Sequence, residues 1–269
     1  MSNVAPRGPL VDTHCHLVLL QERGLLDDAL ASASADGVEQ IVSVGLDVED
    51  SDRNRLIAEA HDNVWFTVGW HPHQKHAPDP RQVEALGELL DHPRAVAVGE
   101  IGIDLYFRPG YHDTPLEEQR RSMHTMFELA EAHGKPVVVH DRDAHAEVLS
   151  LIREHSAVRG VMHCFSGDAP FAAACVDAGY AISFSGIVTF PRSEPQQAAA
   201  AAVGDRDYVL ETDSPFLAPV PHRGRPNLPG YVAATAAAVA TLRDVDVALV
   251  REQSTANARR LFRLPGADA

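Results

Sequence analysis

The segment Asp12-Thr13-His14-Cys15-His16 carries two imidazoles directly after a short apolar run. If this run is a β-strand, its side chains alternate between two faces, so His14 and His16 share a face about 6.5 Å apart along the chain. Two imidazoles with this spacing can converge on one metal ion, and with oxygen ligands they suit Zn, Mn, Fe or Ni rather than Ca. The alternative is a pair of hydrogen-bonded histidines at a strand end, so the interpretation depends on the later strands.

Metal-binding residue types also follow several of the later apolar, β-branched runs of the chain. In a parallel α/β barrel the carboxyl ends of all strands meet at one rim, where catalytic residues gather. A single histidine at a strand end is more often a hydrogen-bonding residue, but the recurrence of such residues at successive ends favours a metal site. The residues expected at this rim are His14, His16, His71, His73, Glu100, His140, His163 and Asp213.

Eight short apolar runs alternate with helical segments, an order that predicts βα units and parallel strands. The number of runs and the length of 269 residues favour an α/β fold of one domain, a TIM (β/α)8 barrel over residues 1–269, rather than an open doubly wound sheet. The open sheet would normally carry a Gly-rich phosphate loop after its first strand, and this chain has none. The predicted strands are 9–16, 40–45, 64–69, 95–100, 136–140, 158–163, 179–186 and 208–213. The predicted helices are 25–35, 50–61, 80–91, 116–133, one that ends near 155, 170–178, 194–202, 231–242 and 246–262.

Composition limits the classes of function. The formal net charge of −15, from 23 basic and 38 acidic residues, argues against a broad electrostatic grip on nucleic acid. It does not exclude phosphate substrates, because bound divalent cations supply local positive charge. Three cysteines are too few and odd in number for a disulfide framework, and no apolar run approaches the roughly 20 residues of a membrane span. We therefore expect a cytoplasmic protein without membrane association.

The candidate ligands are numerous enough for more than one ion. Four histidines and two carboxylates exceed the needs of one tetrahedral site, so the sequence favours two metals, with Glu100 able to bridge them. Paired ions roughly 3.5–4 Å apart can hold a hydroxide and clamp a phosphoryl group.

Seven segments of the chain resemble the TatD family of metal-dependent deoxyribonucleases, in the same order and across nearly the whole chain. They are residues 12–17, 69–73, 99–104, 140–144, 163–167, 182–190 and 211–215. The resemblance implies a TIM barrel of the amidohydrolase type that holds two divalent ions, Mg, Mn or Zn. It implies that His14, His16, Glu100 and Asp213 hold the first ion, and that Glu100, His140 and His163 hold the second.

The same resemblance implies roles for other residues. Asp213 would act as general base and Glu100 as the catalytic bridge, while His73 would reach the substrate phosphate or support a ligand. Asp12 is expected to orient a histidine ligand, with a hydrogen-bonding residue of the strand as an equally favoured alternative. Arg223, together with Arg225, flanks the site and could contact phosphate, with an exposed arginine loop as the alternative.

Some residues near these motifs have a structural reading that competes with a functional one. Many members of the family have an acidic residue before the position of Pro229, whereas this chain has Leu228, which puts the contacts of the preceding loop in doubt. Trp70, Phe165 and Phe216 could stack on bases, but packing is slightly favoured. Packing is also the better interpretation of Cys15 and Cys164.

The activity implied by the resemblance is cleavage of DNA phosphodiester bonds through a hydroxide activated by the two ions. The expected enzyme is a monomeric 3′-5′ exonuclease acting on single-stranded DNA. The same ions would polarise carbonyl and phosphoryl groups alike, so hydrolysis of a small phosphodiester, ester or amide is the alternative, which the acidic composition mildly favours. A scaffold without enzymatic activity is a third hypothesis, but it would not need six converging metal-binding side chains.

Overall fold

The computed structural model describes residues 8–108 and 110–266. Eight strands form one parallel sheet in sequence order, and each strand is followed by at least one helix, which confirms the predicted TIM barrel. The strands are β1 (Leu10–Cys15), β2 (Val38–Ser43), β3 (Val64–Val68), β4 (Ala95–Asp104), β5 (Val137–Arg142), β6 (Gly160–Met162), β7 (Tyr180–Phe184) and β8 (Tyr208–Leu210). The helices are α1 (Leu17–Glu22), α2 (Leu26–Ala35), α3 (Val48–Ala60), α4 (Pro80–Leu90), α5 (Leu116–His133), α6 (His145–Glu154), α7 (Ala169–Asp177), α8 (Glu194–Ala202), α9 (Val232–Arg243) and α10 (Val247–Phe262).

The helices predicted from the sequence agree with the structure to within a few residues, and the main omission is α1. This helix has six residues and begins directly after His16 without a side-chain cap, so the sequence carries no start signal for it. Within the described residues, no helix combines the length and apolar character needed to cross a membrane.

The interior of the barrel is filled by a small cluster of strand residues. Val42 of β2, Val138 of β5 and Val209 of β8 belong to the same cluster, although these strands are not neighbours in the sheet. They can meet only across the inside of the barrel. Phe262 and Leu264, at and just after the end of α10, join this cluster. A larger cluster, which includes Leu10 and Cys15, packs the strands against the surrounding helices.

The fourth strand is longer than predicted. It continues through Glu100 to Asp104, and its pairing with β5 shifts register between Val98 and Ile101. Glu100 therefore lies within an irregular stretch of the strand rather than at its end. The extension brings Asp104 to the rim of the barrel.

The segment after β8 joins the first strand and nearly closes the barrel. Asp213 donates its backbone N–H to the carbonyl oxygen of His14 at 2.9 Å, and His16 donates its own to the carbonyl oxygen of Ser214 at 2.7 Å. These hydrogen bonds place the side chains of the first and last motifs next to each other.

Asp12 supports this closure, which agrees with its alternative interpretation as a hydrogen-bonding residue of the strand rather than with a role at a histidine ring. Its buried carboxylate accepts the backbone N–H of Thr212 at 2.8 Å and the Thr212 hydroxyl at 2.7 Å.

We expect Asp12→Ala to lower the free energy of unfolding by about 2–3 kcal/mol, because it leaves the buried Thr212 donors without an acceptor. Asp12→Asn keeps an acceptor and the shape, so its effect should be much smaller. Urea denaturation followed by circular dichroism measures both, and equal effects of the two variants would contradict this role.

Candidate metal centre

The carboxylate of Glu100 occupies the middle of the rim. The side chain is buried, and its two oxygens face imidazoles from different parts of the barrel. Oε2 lies 3.4 Å from His14 Nε2. Oε1 lies 2.7 Å from His140 Nδ1, 3.5 Å from His163 Nε2 and 3.5 Å from His71 Nε2. A single carboxylate therefore faces one imidazole nitrogen through Oε2 and three through Oε1.

Close backbone packing fixes Glu100 in this position. Its backbone N–H donates to the carbonyl oxygen of Gly45 at 2.9 Å. A Cβ atom on Gly69 would lie 2.1 Å from that carbonyl oxygen and 2.4 Å from the backbone nitrogen of Glu100. The glycine of the motif 69–73 is therefore required by the approach of three chain segments, and any side chain there would push Glu100 out of place.

Asp213 stands on the other side of His14. Its Oδ1 lies 3.2 Å from His16 Nε2 and 3.9 Å from His14 Nε2. The residue has a left-handed backbone conformation with φ of +58°, which few residues other than glycine, asparagine and aspartate adopt readily. The hydrogen bond from its N–H to His14 holds this conformation and aims the carboxylate at the two imidazoles.

The relative orientation of the His14 and His163 rings bears on the number of ions that the site could hold. They stack with centroids 3.5 Å apart and planes at 15°. A ring nitrogen binds a metal along its lone pair, which lies in the ring plane, so two stacked rings cannot direct their lone pairs to one point. The Nε2 atoms of the two rings instead face different oxygens of Glu100. This arrangement suits two ions on one carboxylate.

Several imidazole nitrogens at the site are buried and have no hydrogen-bond partner in the part of the chain that the structure describes, so they can act as metal ligands. Both nitrogens of His14 and Nδ1 of His16 are buried without a hydrogen-bond partner among the described residues. Burial, followed by the neighbouring His163, lowers the pKa of His14 to about 3. Burial likewise lowers the pKa of His71 to about 4. Neutral, unpartnered imidazoles next to carboxylates are suitable metal ligands, so the donor set fits divalent cations.

His163 is held by a carboxylate that the sequence analysis did not single out. Glu211 Oε1 lies 2.9 Å from His163 Nδ1, at ion-pair distance although not in line for a hydrogen bond. Glu211 also accepts the backbone N–H of Cys164 at 2.8 Å and the hydroxyl of Ser183 at 2.5 Å. Burial disfavours a charged imidazole, but Glu211 and Glu100 outweigh it and raise the pKa of His163 to about 10.

Another carboxylate that the sequence analysis did not single out, Asp104, lies next to His73 at the edge of the site. Asp104 Oδ2 lies 2.8 Å from His73 Nε2 and 3.2 Å from His140 Nε2, and Oδ1 lies 3.5 Å from His112 Nε2. Hydrogen bonds from His140 and His73 outweigh the effect of burial and hold the pKa of Asp104 well below its usual range. The rings of His73 and His112 stack at 4.2 Å and 14°. Asp104 thus orients His140 and His73, and together with His73 and His112 it forms a further group whose ligand atoms lie close enough to hold an ion.

The predicted substrate-binding arginine lies elsewhere. A cavity of about 660 Å³ opens above Glu100. Among the described residues that line it, Arg142 is the one arginine, and there is no lysine. Arg142 lies over the ring of Tyr106, 3.9 Å from its centroid, and donates to the hydroxyl of Tyr111 at 2.8 Å. The structure does not bring Arg223 to this cavity, because its guanidinium lies over Phe190 and donates to the carbonyl oxygen of Ala218.

The aromatic residues near the motifs divide into two groups. Trp70 and Phe165 are buried, in agreement with packing roles. Phe216 is 45% exposed at the cavity, where its ring meets that of His16 edge-on at 5.8 Å. Tyr111, which is also exposed, lines the same cavity.

Comparisons with known proteins agree with this geometry. The family model described as TatD related DNase matches residues 11–263. The chain belongs to the TatD family.

Individual TatD proteins resemble this chain over nearly all of its length. It is 39% identical over 260 residues to the metal-dependent hydrolase YcfH of Escherichia coli, covering 95% of this chain and 96% of that protein. It is 32% identical over 244 residues to a protein of Klebsiella pneumoniae named 3'-5' ssDNA/RNA exonuclease TatD, covering 88% and 91%. The crystal structure of the TatD homologue YjjV of Escherichia coli superimposes with a TM-score of 0.88 at 28% identity, covering 95% and 98%.

These findings confirm the predicted family and barrel, and they make the chain a metal-dependent hydrolase of the TatD type. Every predicted metal-binding residue of the TatD motifs lies at the rim around Glu100 and Asp213. His71 joins them, since its Nε2 lies 3.5 Å from Glu100 Oε1. The number of ions and the roles of the ligands remain predictions.

Glu211 provides a test of the site that does not require a substrate. We expect Glu211→Gln to weaken divalent metal binding about 10- to 100-fold, because the neutral amide cannot fix and polarise His163 as the carboxylate does. Titration of the metal-free protein against a competing chelator measures the affinity. Glu59→Gln, on the exposed side of α3, is the matched control and should bind as the unmodified chain does. Equal affinities for both variants would exclude this role of Glu211.

Proposed function

We propose that this TatD protein is a 3'-5' exonuclease that hydrolyses phosphodiester bonds of single-stranded DNA with two divalent ions. The observation that carries the proposal is the stack of His14 on His163, with the two Nε2 atoms facing different oxygens of Glu100. One shared carboxylate between two parallel imidazoles suits a pair of ions, and paired ions are typical of enzymes that cleave phosphodiesters.

The ligands divide into two sets. His14, His16, Glu100 and Asp213 would hold one ion, and Glu100, His140 and His163 would hold the other. Mg, Mn or Zn bound by these residues supplies the positive charge that stabilises the transition state and lowers the pKa of a bound water. His71 extends the second set through its contact with Glu100.

Residues of the chain perform the remaining steps. The carboxylate of Asp213 accepts the proton of the attacking water, a task for which one of its oxygens stays free. Arg142 holds a non-bridging oxygen of the phosphate through its guanidinium, since a planar fork of N–H donors matches phosphate geometry. His73, fixed by Asp104 through Nε2, lines the cavity where the same group would bind.

The shape of the cavity supports action at the end of a strand. Its volume of about 660 Å³ lies within the range of about 300–1,000 Å³ typical of sites for small ligands, and it would accept one nucleotide rather than a duplex. Phe216 and Tyr111 at the mouth are exposed rings on which a neighbouring base could stack. The relative from Klebsiella pneumoniae, named as an exonuclease on single strands, supports the same substrate class.

A small phosphodiester is a second candidate substrate. The net charge of −15 gives a long polyanion little electrostatic attraction, and Arg142 is the one arginine or lysine among the described residues that line the cavity. A small diester would need fewer cationic contacts. Comparison of the rates on labelled oligonucleotides and on an aryl phosphodiester distinguishes the two substrates.

Replacement of the proposed general base tests the chemistry. We expect Asp213→Asn to reduce the cleavage rate of 3'-labelled single-stranded DNA about 10²- to 10⁴-fold in the presence of Mg or Mn, because an amide cannot accept the proton. Circular dichroism and metal analysis verify that the variant is folded and loaded. Full activity of the folded variant would exclude Asp213 as the base. Absence of cleavage by the unmodified, metal-loaded chain would exclude DNA as substrate.

Two arginines test where the phosphate binds. We expect Arg142→Ala to raise KM for single-stranded DNA about tenfold or more, because it removes a charge-assisted bond to phosphate. Arg223→Ala is the matched control and should leave KM unchanged, since its guanidinium is directed at Phe190. Steady-state kinetics on both variants decides, and the reverse pattern would restore the assignment made from the sequence.

A further inference from the structure

A second cavity, which we call the basal cavity, lies at the opposite end of the barrel from the metal centre. It is formed by the connections that precede β5, β6, β7 and β8 and by the last turn of α10, and its volume is about 510 Å³. The metal centre lies at the other ends of these strands. The basal cavity is therefore separate from the site of hydrolysis.

Positive charge is concentrated in the basal cavity. Within residues 8–108 and 110–266, none of its cationic side chains lies within 4.0 Å of a carboxylate, whereas arginines elsewhere, such as Arg243 with Asp205, form ion pairs. Two carboxylates, Glu131 and Asp207, also line the cavity and leave an excess of positive charge. The cationic residues are Lys135, Arg159, Arg206, Arg260 and Arg263.

Neutral acceptors hold three of these cations in place. Lys135 Nζ donates to the carbonyl oxygen of Ala95 at 2.6 Å, and Arg159 donates to that of Ala178 at 3.1 Å. Arg260 donates to the carbonyl oxygen of Arg206 at 2.7 Å. These hydrogen bonds fix the geometry of the cluster but do not neutralise it.

Protein groups compensate these charges only in part. Burial and then the guanidinium of Arg263 lower the pKa of Lys135. The side chains of Arg206 and Arg263 form no hydrogen bond or ion pair with any residue in the described part of the chain. These two exposed guanidinium groups are therefore available to a bound anion.

The walls of the basal cavity suit an organic group. Val158, Val176 and Leu261 contribute apolar surface beside the cations. The hydroxyl of Tyr180, on the same wall, is buried and has no hydrogen-bond partner in the described structure. An anion with an apolar or aromatic body and a polar edge would contact both features.

We propose that the basal cavity binds a phosphorylated organic anion of about mononucleotide size. Arginine guanidinium groups match the geometry of phosphate oxygens, and a volume of about 510 Å³ lies within the range of about 300–1,000 Å³ for small-ligand sites. The net charge of −15 repels a long polyanion far more than a small dianion, which favours a single phosphate ester over a nucleic acid strand.

Calorimetric titration with deoxyadenosine monophosphate in the presence of EDTA tests the proposal. We expect the double variant Arg206→Glu, Arg263→Glu to bind at least tenfold more weakly than the unmodified chain. Arg206→Gln, Arg263→Gln is a milder form that keeps the test valid if the charge reversal impairs folding. The double variant Arg53→Glu, Arg121→Glu changes the net charge equally at exposed ion pairs outside the cavity and should bind normally.

Other results would overturn the proposal. Equal loss of binding in the control variant would show that binding depends on the overall charge of the protein and not on the basal cavity. Loss of binding in Arg142→Ala would place the nucleotide in the cavity above Glu100. If inorganic phosphate competes with the same affinity, the organic part of the nucleotide does not contribute to binding, and the basal cavity is a simple anion site. Because these titrations measure binding without turnover, their outcome is independent of whether the chain cleaves DNA.

Discussion

The buried carboxylate of Glu100 is the interaction on which the rest of the site depends. A charge removed from water is tolerated only when other groups compensate it. Burial alone would raise the pKa of Glu100, but His163, His71 and the hydrogen bonds of other imidazoles lower it well below its usual range. The compensating rings come from several strand ends, so the carboxylate can stay ionised only when the barrel has its native register. The same requirement keeps the ring nitrogens directed at the two oxygens of this carboxylate.

The junction between the first strand and the segment after the last strand brings the first and last motifs of the chain together. His14 and His16 lie at the end of the first strand, whereas Asp213 follows the last strand, and backbone hydrogen bonds between these segments bring them together. Asp12 and Thr212 secure the same junction from within the core. Closing the barrel and bringing the candidate metal ligands together are therefore one structural event. Weaker hydrogen bonds at this junction would separate side chains that are about two hundred positions apart in sequence.

Much of the site could be predicted from the sequence because strand ends converge in a barrel whatever the details of packing. Glu211, Asp104 and Arg142 were not foreseen. Each lies two or four positions from a predicted residue, so strand periodicity could have placed it on the same face. What periodicity cannot supply is the partner across the rim, such as His163 for Glu211. Helix α1 and the extension of β4 escaped prediction for a similar reason, because packing and a register shift decide them.

Arg223 shows where such prediction ends. It lies in a long connection after β8, whose path depends on Asn227, which donates to the carbonyl oxygens of Thr212 and Phe216 at 2.7 and 2.6 Å. No spacing rule indicates that these bonds turn Arg223 toward Phe190. The rim is consequently poor in fixed positive charge and rich in carboxylates and imidazoles. Bound cations would reverse the local charge and so favour the approach of an anionic substrate, a role of the metal that is separate from the chemistry itself.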